Sequence, residues 1–202
     1  MTVLQHSFTA ADLGLLGASV RGEVIASNSA NYDQARAVYN AMIDKHPALI
    51  VRCTDVADVQ AALKFAAGHH LRVAIRGGGH NGAGLGSVEG GLVIDLGPMN
   101  GVRVDPAERT VRVEGGATWG QVDHATHAFG LAVPSGIIST TGVGGLTLGG
   151  GTGPPDPQVR PDHRQPAGGG CGAGQRRTRD RQRGGSFRPV LGHPGRRRQL
   201  WR

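Results

Sequence analysis

Leu71-Arg72-Val73-Ala74-Ile75-Arg76-Gly77-Gly78-Gly79-His80-Asn81-Gly82 is the stretch on which the fold turns. Its first five residues are a short, mostly apolar run that reads as a strand. Gly77, Gly79 and Gly82 then satisfy the spacing G-x-G-x-x-G. A doubly wound nucleotide fold would need a helix to open here, with a pyrophosphate on its N-terminus. The next residues are Ala83-Gly84-Leu85-Gly86-Ser87, and two more glycines in five residues make a poor helix. That reading fails on context. What remains is a loop whose backbone N–H groups are uncovered by side chains and can form an anion nest. Arg76 adds a permanent charge in a planar fork suited to phosphate. A plain turn needs one or two glycines, whereas five lie between Arg76 and Leu85.

Working back from this loop, Thr54 reads as an N-cap, with Asp55 and Asp58 in the first turn where they suit the helix dipole. Val56, Val59, Leu63 and Ala66 share one face of that helix, and Gly68 ends it. Ala48 to Val51 is an apolar strand before it. The result is β-α-β in about 28 residues, the size of a parallel crossover unit. Further upstream, Ala35, Val38, Tyr39, Met42 and Ile43 predict an amphipathic helix over 33–45, stopped by His46-Pro47. Residues 1–30 form an N-terminal segment in which Leu13, Leu15, Leu16 and Val20 suggest a short helix.

Downstream the pattern changes. Leu92 to Leu96 is a strand. Val102 to Val104 and Thr110 to Glu114 alternate around Asp105-Pro106, a hairpin with one wet face. Thr118 with Gln121 forms a capping-box signature, and Trp119, Val122, Ala125 and Phe129 define a helix ending at Gly130. Leu131 to Pro134 is extended. The fold class is α+β, with a crossover half and an antiparallel half.

A second glycine-rich segment runs from Ser135 to Gly153 without any period. Ser139, Thr140 and Thr141 offer hydroxyls to phosphate, while Gly142, Gly144, Gly145 and Gly151 allow close backbone approach to a ligand. Two such loops suggest a large ligand carrying a diphosphate. His80 lies inside the first loop among small residues, facing whatever that loop binds, and a neutral imidazole is a competent nucleophile. His6, His46, His69, His70, His124 and His127 read as structural or surface residues.

The 202 residues carry a formal charge of +7, but unevenly. Residues 154–202 hold 12 Arg and 3 Asp with no Lys or Glu, a charge of +9, which leaves the first 153 at −2. The excess therefore says nothing about the body. No apolar run approaches the ~18 residues of a membrane span. No basic region precedes an apolar one at the N-terminus, so a cytoplasmic location is expected. Cys53 and Cys171 alone make neither a disulfide framework nor a zinc site, and no metal is expected.

Arg76-Gly77-Gly78-Gly79-His80-Asn81, the strand ending at Asp95-Leu96, the helix start Gly116-Ala117-Thr118-Trp119-Gly120, and the run from Thr141 to Gly151 occur in order. Together they resemble the PCMH-type FAD-binding domain of flavoprotein oxidases related to berberine bridge enzyme and vanillyl-alcohol oxidase, over roughly residues 20–153. The resemblance implies a β-α-β subdomain plus a mixed or antiparallel one, here incomplete. It implies FAD as cofactor, with its pyrophosphate on the loop that includes Gly82 and its 8α-methyl linked covalently to His80. Ile138 stands where many members carry a second linking Cys, so a single bond is expected, and Cys53 is no substitute. The implied activity is oxidation of small alcohols, sugars or secondary metabolites, with hydride passing to flavin N5 and commonly on to O2. The tyrosine base and substrate-binding sheet of the family lie further along, so no catalytic residue is expected in this chain.

Residues 31–153 are thus the N-terminal part of an FAD domain, and 154–202 an Arg/Pro/Gly-rich tail. Only 9 of those 49 tail residues are hydrophobic, so disorder is expected. A basic nucleic-acid tail is the rival functional reading, and a membrane-surface patch another. Nucleic-acid segments of this kind interleave aromatics, and this tail has only Phe187 and Trp201. A shifted reading frame accounts for the tail better. Back-translated from Pro154 and read from the second base of each codon, it permits H-L-T-R-K-[FY]-G-L-T-I-D-N-L, which resembles the family's continuation. The stretch from Phe187 to Trp201 permits D-L-F-W-A-I-R-G-G-G-G-N-F, a second family-like motif. The chain then reads as an inactive fragment of an FAD-dependent oxidoreductase.

Overall fold

A computed structural model describes residues 8–151, together with the short segments 171–173 and 177–179. The chain divides into two compact units, Met1–Met99 and Asn100–Arg202.

In the first unit, β1 (Glu23–Ala26), β2 (Leu49–Arg52), β3 (Val73–Arg76) and β4 (Leu92–Asp95) form one sheet of order β1-β2-β4-β3. β1 is antiparallel to β2, and β4 is parallel to both β2 and β3. The crossover predicted from sequence is therefore present, but its two strands are not neighbours: β4 lies between them. All four residues of β4 are buried, as its central place requires. β3 is an edge strand, with Val73 and Ile75 facing out.

Leu49, Val51, Leu92 and Ile94 pack on one face of the sheet with Leu16 of α1 (Ala10–Ser19) and Ala62 and Ala66 of α3 (Val56–Gly68). Ile25, Ile50, Ala74 and Val93 pack on the other with Tyr32, whose hydroxyl donates to the Pro47 carbonyl at 2.7 Å. The N-cap of α3 is Asp55 rather than Thr54: its carboxylate accepts from the Asp58 N–H at 3.0 Å. Asp58 goes elsewhere. It is 1% exposed and accepts from the N–H groups of Arg21, Gly22 and Thr54 and from the Thr54 hydroxyl at 2.7–3.1 Å. It ties the residues just before β1 to the start of α3.

The helix predicted over 33–45 is corrected. α2 spans only Tyr32–Arg36. Beyond it the chain leaves the helix, and Tyr39 and Met42 are exposed. Arg36 holds the start and end of this excursion, donating to Asp33 at 2.7 Å and pairing with Asp44. Tertiary contacts made by residues 39–45 outweigh the periodicity.

In the second unit, β5 (Val102–Asp105) and β6 (Thr110–Val113) form the expected hairpin. Val111 and Val113 join Ala117, Trp119 and Val122 of the α4 (Trp119–His127) region, Leu131, Val133 and Val143 in a separate core. The segment read as having no period contains a six-residue helix, α5 (Val143–Leu148). In the tail, β7 (Cys171–Ala173) and β8 (Arg177–Arg179) pair antiparallel. A backbone ladder satisfies its own polar groups without any apolar face. The rest of the tail lies outside the described residues.

Candidate functional site

The glycine loop of the first unit follows β3 and is braced along one side by residues 37–45. The Tyr39 N–H donates to the Gly79 carbonyl at 3.2 Å, and the Asn40 amide to the Gly82 carbonyl at 3.0 Å. The Lys45 ammonium donates to the carbonyls of Gly84 and Ser87 at 2.7 and 3.1 Å. Ile43 packs beneath Gly84, whose φ of +69° belongs to the left-handed region. Asn81 closes the turn, its carbonyl accepting from Gly84 and its side-chain oxygen from Leu85.

These contacts orient the loop electrically. All peptide bonds described are trans, and in a trans peptide the C=O and the following N–H point in opposite directions. With the carbonyls of Gly79 and Gly82 turned to the brace, the N–H groups of His80 and Ala83 point away from it. Those N–H groups give the outward face a partial positive charge.

The brace also meets His80 itself. The Tyr39 ring stacks on the His80 imidazole with centroids 3.8 Å apart and planes 19° from parallel. Gly77, Gly78, Gly79 and His80 are half-buried, and Asn81 and Gly82 exposed.

Arg76 is a correction. The fork expected to meet phosphate is buried and turned inward: Nη2 donates to Asp95 Oδ2 at 3.0 Å and to the Ala35 carbonyl at 2.6 Å, and Nη1 to the Ala37 carbonyl at 3.3 Å. Arg76 and Asp95 are register partners at the ends of β3 and β4. The side chain anchors the brace to the sheet.

In the second unit, the run 138–143 is locked to the start of α4 by backbone. Gly120 N–H donates to the Ser139 carbonyl at 2.8 Å, Trp119 N–H to Thr141 at 3.0 Å, and Val143 N–H to Ala117 at 2.9 Å. Thr118 and Gly142 form a bridge between these segments. Ser139 and Thr140 are exposed, Thr141 is half-buried and Gly142 is buried. Gly144 lies against the Gly115 carbonyl, where a Cβ would sit 2.8 Å from that oxygen. Gly151 lies against Leu146. Gly145 has open space where a Cβ would stand. The Trp119 indole N–H is buried without a hydrogen-bond partner among the described residues.

Sequence reasoning missed Tyr39, Asn40 and Lys45. The available signal was Asn40, which favours turns over helix interiors, inside a run read as a helix. Among the described residues no three His, Cys, Asp or Glu gather as a metal site, and no helix is long and apolar enough to cross a membrane. Cys53 is buried, and its thiol is pushed up to about 12 by that burial and by Asp58, Asp95 and Asp55, so it is no nucleophile.

A family model described as an FAD binding domain matches residues 47–158. An (R)-6-hydroxynicotine oxidase of Paenarthrobacter nicotinovorans is 34% identical over 135 residues, 67% of this chain and 30% of that protein. The crystal structure of 6-hydroxy-D-nicotine oxidase from Arthrobacter nicotinovorans superposes with a TM-score of 0.66 at 34% identity, covering 67% of this chain and 30% of that one. Physcomitrella patens BBE-like 1 gives 0.65 at 29% identity, over 70% and 31% of the two chains. This chain spans about three tenths of the length of these relatives.

Proposed function

We propose that this chain, which belongs to the FAD-binding-domain family, is the flavin-holding part of an FAD-dependent oxidoreductase acting on small alcohols, sugars or secondary metabolites. The observation that carries this reading is the polarised loop: carbonyls of Gly79 and Gly82 on the brace, N–H groups of His80 and Ala83 on the open side. The residues fit the cofactor. Gly82 and Gly145 have open space where a Cβ would stand, so the packing of the chain itself does not require glycine at either position. The indole N–H of Trp119, buried without a partner among the described residues, is a donor that an acceptor on the cofactor would satisfy.

FAD supplies the hydride acceptor, and O2 the final oxidant. The peptide N–H groups of the loop would hold the pyrophosphate, and His80 would fix the ring system in place. His80 would supply the ring nitrogen bonded to the flavin 8α carbon; O2 would take up the imidazole proton, one proton from that carbon and the two electrons, leaving as hydrogen peroxide. The hydroxyls of Ser139, Thr140 and Thr141, and the backbone at Gly142, Gly144, Gly145 and Gly151, are the proposed contacts of the second segment. In the family the tyrosine base lies further along, so the property proposed for these residues is flavin capture.

The test is to incubate the purified chain with FAD and precipitate it with acid. Yellow colour retained in the pellet, and lost in His80→Ala, supports the reading. Colour wholly in the supernatant, with no flavin binding beforehand, overturns it.

We infer also that residues 154–202 come from a shifted reading frame. The two family-like strings in the second frame support this, as does the closure of the family match within the first residues of the tail. Sequencing the DNA across the codons for Gly151 to Asp156 decides it. A restored base that opens the second frame is the expected result; an intact frame in full-length message removes the inference. In that case salt-sensitive nucleic-acid binding by the tail becomes the reading to measure.

A further inference from the structure

Tyr39 belongs to no motif in the glycine loop, lies outside any helix or strand, and is 65% exposed. An exposed aromatic side chain is normally free to choose among rotamers. This one lies flat on His80, with centroids 3.8 Å apart and an interplanar angle of 19°. Its backbone also reaches the loop: its N–H holds the Gly79 carbonyl, the group directly before His80. Tyr39 thus grips the loop at two adjacent points, one through the backbone and one through the ring.

Its own position is fixed from behind. The Arg76 guanidinium holds the carbonyls of Ala35 and Ala37, and the next side chain along, Asn40, holds Gly82. The stack is therefore anchored through Arg76 to the buried carboxylate of Asp95. A stacked ring covers one face of the imidazole and limits rotation about its side-chain bonds. The stack meets the face of the imidazole and not its edge, which carries both nitrogens. For a nucleophile this matters more than affinity: attack requires the nitrogen lone pair to be aligned with the carbon it closes on.

We propose that Tyr39 is a positioning residue for His80, holding the imidazole edge-on for attachment to flavin. This rests on the assignment of His80 as the attachment point. The bond made and the electrons moved are those given above, with O2 as the oxidant; Tyr39 contributes no proton and no bond. The requirement is for a flat ring, not a hydroxyl.

The experiment follows acid-stable flavin incorporation with time in the full chain, comparing Tyr39, Tyr39→Phe and Tyr39→Leu. In parallel, the His80 ring-proton NMR signals are recorded without flavin, where a stacked phenol shifts them upfield. Expected are incorporation within about twofold of wild type for the Phe variant and at least tenfold slower for the Leu variant, with the upfield shift present in the first and lost in the second. Rescue by Phe and failure of Leu separates ring placement from general stability. Leu incorporation at the wild-type rate overturns the proposal while leaving His80 as the attachment point. No incorporation by wild type, with the upfield shift intact, overturns the attachment reading itself, and the role of Tyr39 with it.

Discussion

Arg76 and Asp95 face each other across paired strands, Nη2 donating to Oδ2 at 3.0 Å, with each residue less than a tenth exposed. They stand at the same register position, where β3 and β4 end and the glycine loop begins. Replacing Arg76 by Met leaves the Asp95 carboxylate buried without its main partner. Loss of one member of such a pair costs about 3–5 kcal/mol. Urea unfolding of Arg76→Met is expected to show this loss, whereas an Arg exposed for phosphate would cost almost nothing.

Asp58 predicts an acid limb in stability. Burial raises its pKa, but the N–H groups of Thr54, Arg21 and Gly22 and the Thr54 hydroxyl outweigh burial and hold it below the ordinary carboxylate value. A depressed folded pKa gives stability that is present above the unfolded value and lost as pH falls through the folded one. Asp58→Asn is expected to lose about 3 kcal/mol at neutral pH and to flatten the decline below pH ~4. Urea midpoints across that range check both.

Cys53 predicts silence toward thiol reagents. With its thiol pushed up to about 12 by burial and three nearby carboxylates, almost no thiolate exists near neutrality. A Cys171→Ser chain is expected to show no thiol reacting with an aromatic disulfide at pH 8 when native, and one after denaturation. The raised value also means that stability falls as pH climbs from the ordinary thiol range toward about 12.

Two glycines of the same loop are expected to part company. At Gly84 a Cβ would lie 2.5 Å from Ile43 Cγ2, on a backbone with φ of +69°. Gly84→Ala is expected to cost at least ~1–2 kcal/mol from the left-handed backbone alone. Gly82 has open space and no such φ, so Gly82→Ala is expected to fold within ~0.5 kcal/mol of wild type. It is nonetheless expected to weaken flavin retention by crowding the open side of the loop. Denaturation and flavin titration of the two variants check the contrast.

The β-α-β unit, the hairpin and α4 are legible in the sequence because each rests on local signals: apolar period, caps and turn residues. Asp55 displaces Thr54 at the cap by a single position, within the ordinary slack of helix boundaries. The helix expected over 33–45 fails because local pattern is not sufficient there. Residues 37–45 have the apolar spacing of a helix, yet Tyr39, Asn40, Ile43 and Lys45 all serve the glycine loop some forty residues later. The charge and sequence neighbours of Arg76 point to phosphate. Its role is set instead by Asp95, nineteen residues on, which only the pairing of β3 with β4 reveals. The glycine loops, and His80 inside the first of them, stand out because composition displays bare backbone directly.

The sheet order β1-β2-β4-β3 carries a consequence for synthesis. The strand at its middle is the last of the four to leave the ribosome. Until Leu92–Asp95 emerges, β2 and β3 each present an open edge, and neither has its parallel partner. A nascent chain at that stage holds two apolar edges that can pair with anything extended nearby. The glycine-rich loop is the tether that carries β4 into the gap. Changes there should show first as lost yield at the ribosome, before any altered ligand affinity in the protein that survives.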